Sequence, residues 1–210
     1  LMVLLTAIGS IVGTGGAILI GRCLRRKEIP IAEKILGNTF SLTFLISLLI
    51  IFILSGFQKE IILLFGGRTE TLPYAVRYLN IIIPGSIFLN LTAGLTNCMR
   101  VCGFARKAAW IVFLGIILNV VSDYYFISVL GMGIEGGAIA TVLSMGTCAL
   151  LICFHFLSPD SPVVLRKTYF KPQTRQTLKI ILTGMTPFFM NLTICTVSII
   201  MNLSLIHISE

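Results

Sequence analysis

The chain has 210 residues, of which 56% are hydrophobic and 11% charged, where a soluble domain carries roughly 25% charged residues. With a mean hydropathy of +1.00 it cannot hide its apolar surface in one water-soluble core, so a bilayer must be the solvent for most of it. A soluble enzyme, a nucleic-acid domain and a disordered chain are excluded, and the net charge of +8 is read as a topology signal rather than as affinity for a polyanion.

A bilayer-crossing helix needs about 20 apolar residues, and six stretches reach that length. The first, 1 to 21, contains Gly13, Gly15 and Gly16. These resemble a phosphate loop only superficially, because no strand precedes them and no GK[ST] follows; they are read as packing glycines. The second runs from 35 to 58. The third, 78 to 99, carries Pro84, which can kink a helix, and Asn90 and Asn97, seven apart and so on one helix face. With Thr92 and Thr96 these Asn residues either line a polar cavity or hydrogen-bond between helices. The fourth, 108 to 134, is interrupted once, by Asp123. Glu135 follows in a short turn, GMGIEGG, where a solvated carboxylate is ordinary. The fifth, 136 to 159, has His155 near its end, read as an interfacial side chain, and the sixth runs from 180 to about 202. The fold class is all-α, a polytopic transmembrane helical bundle.

Charge distribution supports the same six crossings independently. Thirteen of the 16 Lys and Arg fall in the first, third and fifth connections, near 22 to 34, 100 to 107 and 158 to 179. By the positive-inside rule these loops are expected to be cytoplasmic, and Arg100 is read as setting topology. The six Cys lie in or beside apolar runs without a paired CxxC set, and are read as small packing residues.

The chain opens at Leu1, already inside a hydrophobic span, so an upstream element is expected; no cleavable-signal pattern is present. LSLIHISE, residues 203 to 210, reads as the translation of a sequencing-library adapter, and the natural sequence is expected to stop near Asn202.

Asp123 is the one carboxylate inside a span. A charge at bilayer depth costs at least ~2.5 to 3.5 kcal/mol on insertion scales, so it faces the bundle interior, a partner or a water-filled cavity. Asn119 lies one turn earlier on the same face. Together they can offer several hard oxygens to Na⁺, while a proton needs the carboxylate alone. A buried Asp that merely braces helices is the plain alternative.

Several segments are similar to one family. They are Ala75-x-x-Tyr78-Leu79 entering the third span, Arg100-x-x-Gly103 leaving it, GIILNVVSDYYFISVLGMGIEGGAIAT at 115 to 141, and TGMTPFFMN at 183 to 191. The chain resembles the multidrug and toxic compound extrusion (MATE) transporters, most like the DinF-type and MepA-like bacterial branch, over essentially all of 1 to 202. The resemblance implies twelve helices in two six-helix lobes around a cavity that opens alternately to either side. Residues 1 to 157 would be the amino-terminal lobe without its first helix, 158 to 179 the cytoplasmic inter-lobe loop, 180 to 202 the first helix of the second lobe, and 203 to 210 the adapter-derived addition.

In archaeal and DinF-type members a cation site uses an Asn and an Asp one turn apart on helix five, a Thr on helix six and an Asp on helix one. By motif match the first three fall on Asn119, Asp123 and Thr141; the fourth would lie before Leu1. Gly137 stands where an Ala is commoner, and Arg25 and Arg26 where the family often has Gly. The implied protein is no enzyme but a bacterial plasma-membrane antiporter, expelling organic, often cationic, compounds against H⁺ or Na⁺. Its expected partners are the bilayer and small organic substrates, with no nucleic acid, no cofactor beyond the coupling ion, no metal beyond a Na⁺ at Asp123, Asn119 and Thr141, and a monomeric full-length state. The rival is a lipid-linked oligosaccharide flippase of related topology, which would need cations inside its cavity; the central spans contain no Lys or Arg.

Overall fold

The computed structural model describes residues 2–58, 62, 72–159, 161–170 and 173–208. Among them the chain forms six α-helices: α1 (Met2–Arg25), α2 (Ile29–Gly56), α3 (Leu72–Val101), α4 (Ala105–Asp123), α5 (Gly133–Leu157) and α6 (Thr174–Ile208). A π-helical turn, Tyr124–Val129, extends α4, and a 3₁₀ turn, Lys167–Tyr169, sits in the α5–α6 connection. Four segments are long and apolar enough to cross a bilayer: α2, α3, α4 with its π extension, and α5. Most of the connection from α2 to α3, with Lys59 and Arg68, lies outside the described residues, as does Glu210.

The helices from α2 onward begin several residues before the apolar stretches that foretell them. α2 begins at Ile29, with Pro30 in its first turn, where a missing N–H costs nothing and φ is already helical. α3 takes in Arg77 and Arg100 at its two ends. Short turns then reverse the chain. Gly103 has φ +93°, a left-handed backbone that a side chain would strain, which explains the Arg100-x-x-Gly103 spacing.

The stretch 108 to 134 is not one uniform helix, as its apolar length suggests. The α ladder ends at Asp123 and the Leu130 N–H donates to the Tyr125 carbonyl, five residues back, at 3.0 Å. An extra residue per turn rotates the later side chains by about 100° relative to the earlier ones, so Asn119 and Asp123 keep their own face whatever Tyr124–Val129 presents.

α1 packs against α2, α3 and α6, and its glycines do separate jobs. Gly13 meets Gly94 of α3 backbone to backbone, Gly15 meets the Ile180 carbonyl and Gly184 of α6, and Gly16 meets the Thr39 side chain of α2. A methyl group at any of the three would overlap its neighbour. The core spreads outward from these contacts through Val12, Ile20, Leu36, Leu95, Met99, Ile152 and Phe156, all nearly inaccessible. α3 and α5 close the other side, where Gly85 admits the Val142 side chain and the Thr92 hydroxyl donates to the Met145 carbonyl at 3.0 Å. The five described cysteines are free thiols, and Cys98 and Cys148 are buried as packing residues.

The segment between α5 and α6 is not a loose tether. Val163 and Leu165 enter the main core, and the Leu165 N–H donates to the Phe156 carbonyl at 2.8 Å. Arg166 Nε reaches the buried Glu33 carboxylate of α2 at 3.1 Å. Phe170 stacks on Phe40 with ring centroids 5.3 Å apart, and the Gln173 N–H donates to Asn38 Oδ1 at 3.4 Å. Glu33, a loop charge by sequence, is thus a buried anchor.

Gly13→Ala should destabilise the protein by about 1–3 kcal/mol, the usual cost of forcing extra atoms into a close-packed interface. Gly56→Ala, with nothing within 4 Å of its added carbon, should be nearly neutral. Thermal unfolding of the two variants in detergent, followed by circular dichroism, checks the contrast.

Candidate functional site

The residues singled out by sequence converge where α4 faces α5. The Asn119 amide nitrogen lies 3.5 Å from Thr141 Oγ1, at the outer limit of a hydrogen bond. The Thr141 hydroxyl donates to the Gly137 carbonyl at 2.9 Å. Its oxygen is therefore left as an acceptor toward Asn119, and the Asn119 carbonyl oxygen is left for another partner. Asp123 stands one turn beyond Asn119, half-buried. Its Oδ1 is buried with no hydrogen-bond partner among the described residues. A carbon added at Gly137 would sit 3.7 Å from that oxygen, an ordinary contact, so glycine here lets α5 pass close to the carboxylate without filling the space around it.

A buried carboxylate oxygen with no donor is costly, and such atoms in a folded protein call for an explanation by ion, water or function. The available donors, a carboxylate, an amide carbonyl and a hydroxyl, are all hard oxygens that suit Na⁺ as well as a proton. At the same end Glu135, expected in a connecting turn, lies in the first helical turn of α5 because that helix starts at Gly133, and Arg77 of α3 approaches it at 3.8 Å as a weak partner.

Beside this cluster a cavity of about 420 Å³ opens between α3, α4 and α5. Asn119 and Thr141 are on its wall, with Thr92, Asn97, Ser144 and Arg100. The two Asn residues of the third span part company here. Asn97 lines the cavity and approaches Thr14 Oγ1 at 3.5 Å. Asn90 instead donates to Ser47 Oγ of α2 at 3.1 Å, fully buried. Their seven-residue spacing puts them on one face, but the two ends of that face meet different helices. Ser144 is missed by sequence reading, although its place one turn after Thr141 could have pointed to it. Arg100, read as a loop charge, joins the wall because α3 continues to Val101. Phe104 meets the His155 ring edge-on at 4.6 Å, so that histidine packs against an aromatic ring where α5 ends. Among the described residues no three His, Cys, Asp or Glu side chains gather as a metal cluster.

The family model that matches this chain, MatE, covers residues 1–125. The chain belongs to the MatE family. Among curated relatives it is 25% identical over 163 residues to the "Probable multidrug resistance protein YoeA" of Bacillus subtilis (strain 168), covering 75% of this chain and 35% of the relative. It is 23% identical over 201 residues to the "Multidrug export protein MepA" of Staphylococcus haemolyticus (strain JCSC1435), covering 96% of this chain and 44% of the relative. A solved structure described as the inward-facing conformation of a multidrug resistance MATE family transporter superposes with a TM-score of 0.85 at 23% identity, over 91% of this chain and 44% of that one. The chain therefore spans less than half the length of these relatives. MatE proteins are transporters rather than enzymes and cross the membrane several times, in keeping with the long apolar helices of this bundle.

In a background without native cysteines, Asn97→Cys should react with a small charged methanethiosulfonate reagent and Asn90→Cys should stay protected, since Asn97 lines the cavity and Asn90 is sealed against α2. Mass spectrometry of the labelled protein reads both.

Proposed function

We propose that the protein, with whatever further sequence its gene encodes, is a cation-coupled antiporter of the bacterial plasma membrane, exporting organic and often cationic compounds. The observation that carries this reading is the unpartnered Asp123 oxygen beside Asn119 and Thr141, next to a cavity whose lining is mostly apolar with a few polar anchors, as pockets for varied small molecules are. Two curated relatives are a multidrug resistance and a multidrug export protein, which supports the substrate class.

In this reading H⁺ or Na⁺ neutralises Asp123. For Na⁺, Asn119 Oδ1 and Thr141 Oγ1 supply neutral oxygens; for H⁺, the carboxylate suffices and the amide and hydroxyl hold its orientation. A coupling ion can shift the conformational equilibrium only through its different affinity for the two states. The site is suited to this because its charge lies where α4 changes from α to π winding, a place where helix geometry has more than one close alternative. The basic loops 22–34, 100–107 and 158–179 face the cytoplasm, the protein acts as a monomer, and no cofactor beyond the ion is needed. Arg100 on the cavity wall is the observation that favours the rival, a flippase of a lipid-linked oligosaccharide, whose anionic phosphates would seek a cation there.

Efflux of a fluorescent organic cation from cells under imposed pH and Na⁺ gradients separates these readings. Wild-type efflux driven by one gradient, and reduced by at least about tenfold in Asp123→Asn, is expected; a tenfold loss corresponds to about 1.4 kcal/mol of coupling. Normal gradient-driven efflux in the variant would make Asp123 a structural brace, and absence of efflux in the wild type would favour the flippase.

A further inference from the structure

A second cavity, of about 770 Å³, lies at the other, basic end of the bundle, where α1 ends, α2 begins and α6 begins. Five cations from three helices and their connection line it: Arg22, Arg26, Lys34, Arg175 and Lys179. One carboxylate, Glu28, shares the space. Among the described residues the ion pairs are Arg77 with Glu135 and Arg166 with Glu33, so none of the five cations has an anionic partner there. Lys34 has a described compensating contact, lying over the Tyr169 ring at 5.8 Å.

Like charges gathered around one hollow repel one another, and an anion placed there is attracted by all of them. The lining of the hollow says which kind. Beside the cations, its lining includes the apolar side chains of Leu19, Ile31, Ile35 and Leu182. Ile31 is 42% exposed and Leu182 63% exposed. They are aliphatic side chains open to the surroundings beside Lys and Arg. A free phosphate would use only the cations and leave most of the volume empty. A molecule with phosphate at one end and hydrocarbon at the other uses both, and basic pockets between transmembrane helices are suited to such headgroups.

We propose that this cavity binds the phosphodiester headgroup of an anionic membrane phospholipid, which ties the ends of α1, α2 and α6 together. Such binding does not depend on transport by the site at Asp123. It requires only that the basic end of the bundle lies at a membrane surface.

The test uses the purified protein in a neutral detergent, titrated with phosphatidylglycerol, phosphatidylcholine or inorganic phosphate, and read by thermal unfolding and by native mass spectrometry of retained lipid. Phosphatidylglycerol should raise the unfolding temperature saturably and remain bound in the spectrometer, and phosphatidylcholine should do neither. Arg26→Gln with Lys179→Gln, two exposed side chains, should weaken half-saturation by about fivefold per cation removed. Arg106→Gln with Lys107→Gln, at the start of α4, should leave it unchanged. Inorganic phosphate matching the lipid at equal concentration would overturn the proposal in favour of a free-anion site. Equal weakening by both double substitutions, or equal stabilisation by phosphatidylcholine, would overturn it in favour of a general surface or detergent effect.

Discussion

The packing of α2, α3 and α6 depends on how closely each can approach α1. In a bilayer the surrounding hydrocarbon is as apolar as leucine, so hydrophobic burial does little to pull helices together; van der Waals contact and interhelical hydrogen bonds must do so. Both weaken steeply with distance. Gly13, Gly15 and Gly16 occupy different positions around the helix and so point to α3, α6 and α2 in turn. An alanine at any one of them would push one partner outward, and the polar contacts that rely on that spacing, such as Asn97 with Thr14, would lengthen with it.

The polar side chains follow from the same constraint. Many hydroxyls in the bundle donate to a carbonyl one turn back on their own helix, as Thr39 does to Ile35 and Thr96 to Thr92. Such a side chain is satisfied before it meets a neighbour, which lowers its cost in hydrocarbon. A few reach across instead: Asn90 to Ser47, Thr92 to Met145, Asn119 toward Thr141. These cross-helix contacts are where sequence change alters tertiary structure and not merely local helix. Asp123 belongs to neither group: its Oδ1 has no hydrogen-bond partner among the described residues, as Asn90 Oδ1 also has none, but a carboxylate can take up a proton or a cation where an amide stays neutral.

Much of this was legible in the sequence. Apolar length foretells the helices, because it reflects the thickness of the bilayer, and the local spacing of Asn119, Asp123 and Thr141 is preserved by two adjacent antiparallel helices. What the sequence hid was set by register and by long-range packing. The π turn after Asp123 leaves no compositional mark. Asn90 and Asn97 share a face whose ends meet different neighbours. Glu33 reads as one more loop charge until Arg166, more than a hundred residues later, is folded onto it.

That last pairing has a mechanical meaning. A flexible tether of the length of the α5–α6 connection would let α6 wander with little resistance. Here the slack has been taken up: Val163 and Leu165 are embedded in the core, Phe170 is stacked on Phe40, and Gln173, the residue just before α6, is held to Asn38. The contacts fasten the described parts of the connection to Glu33, Asn38 and Phe40, so the start of α6 is moored to the early turns of α2 as well as to α1.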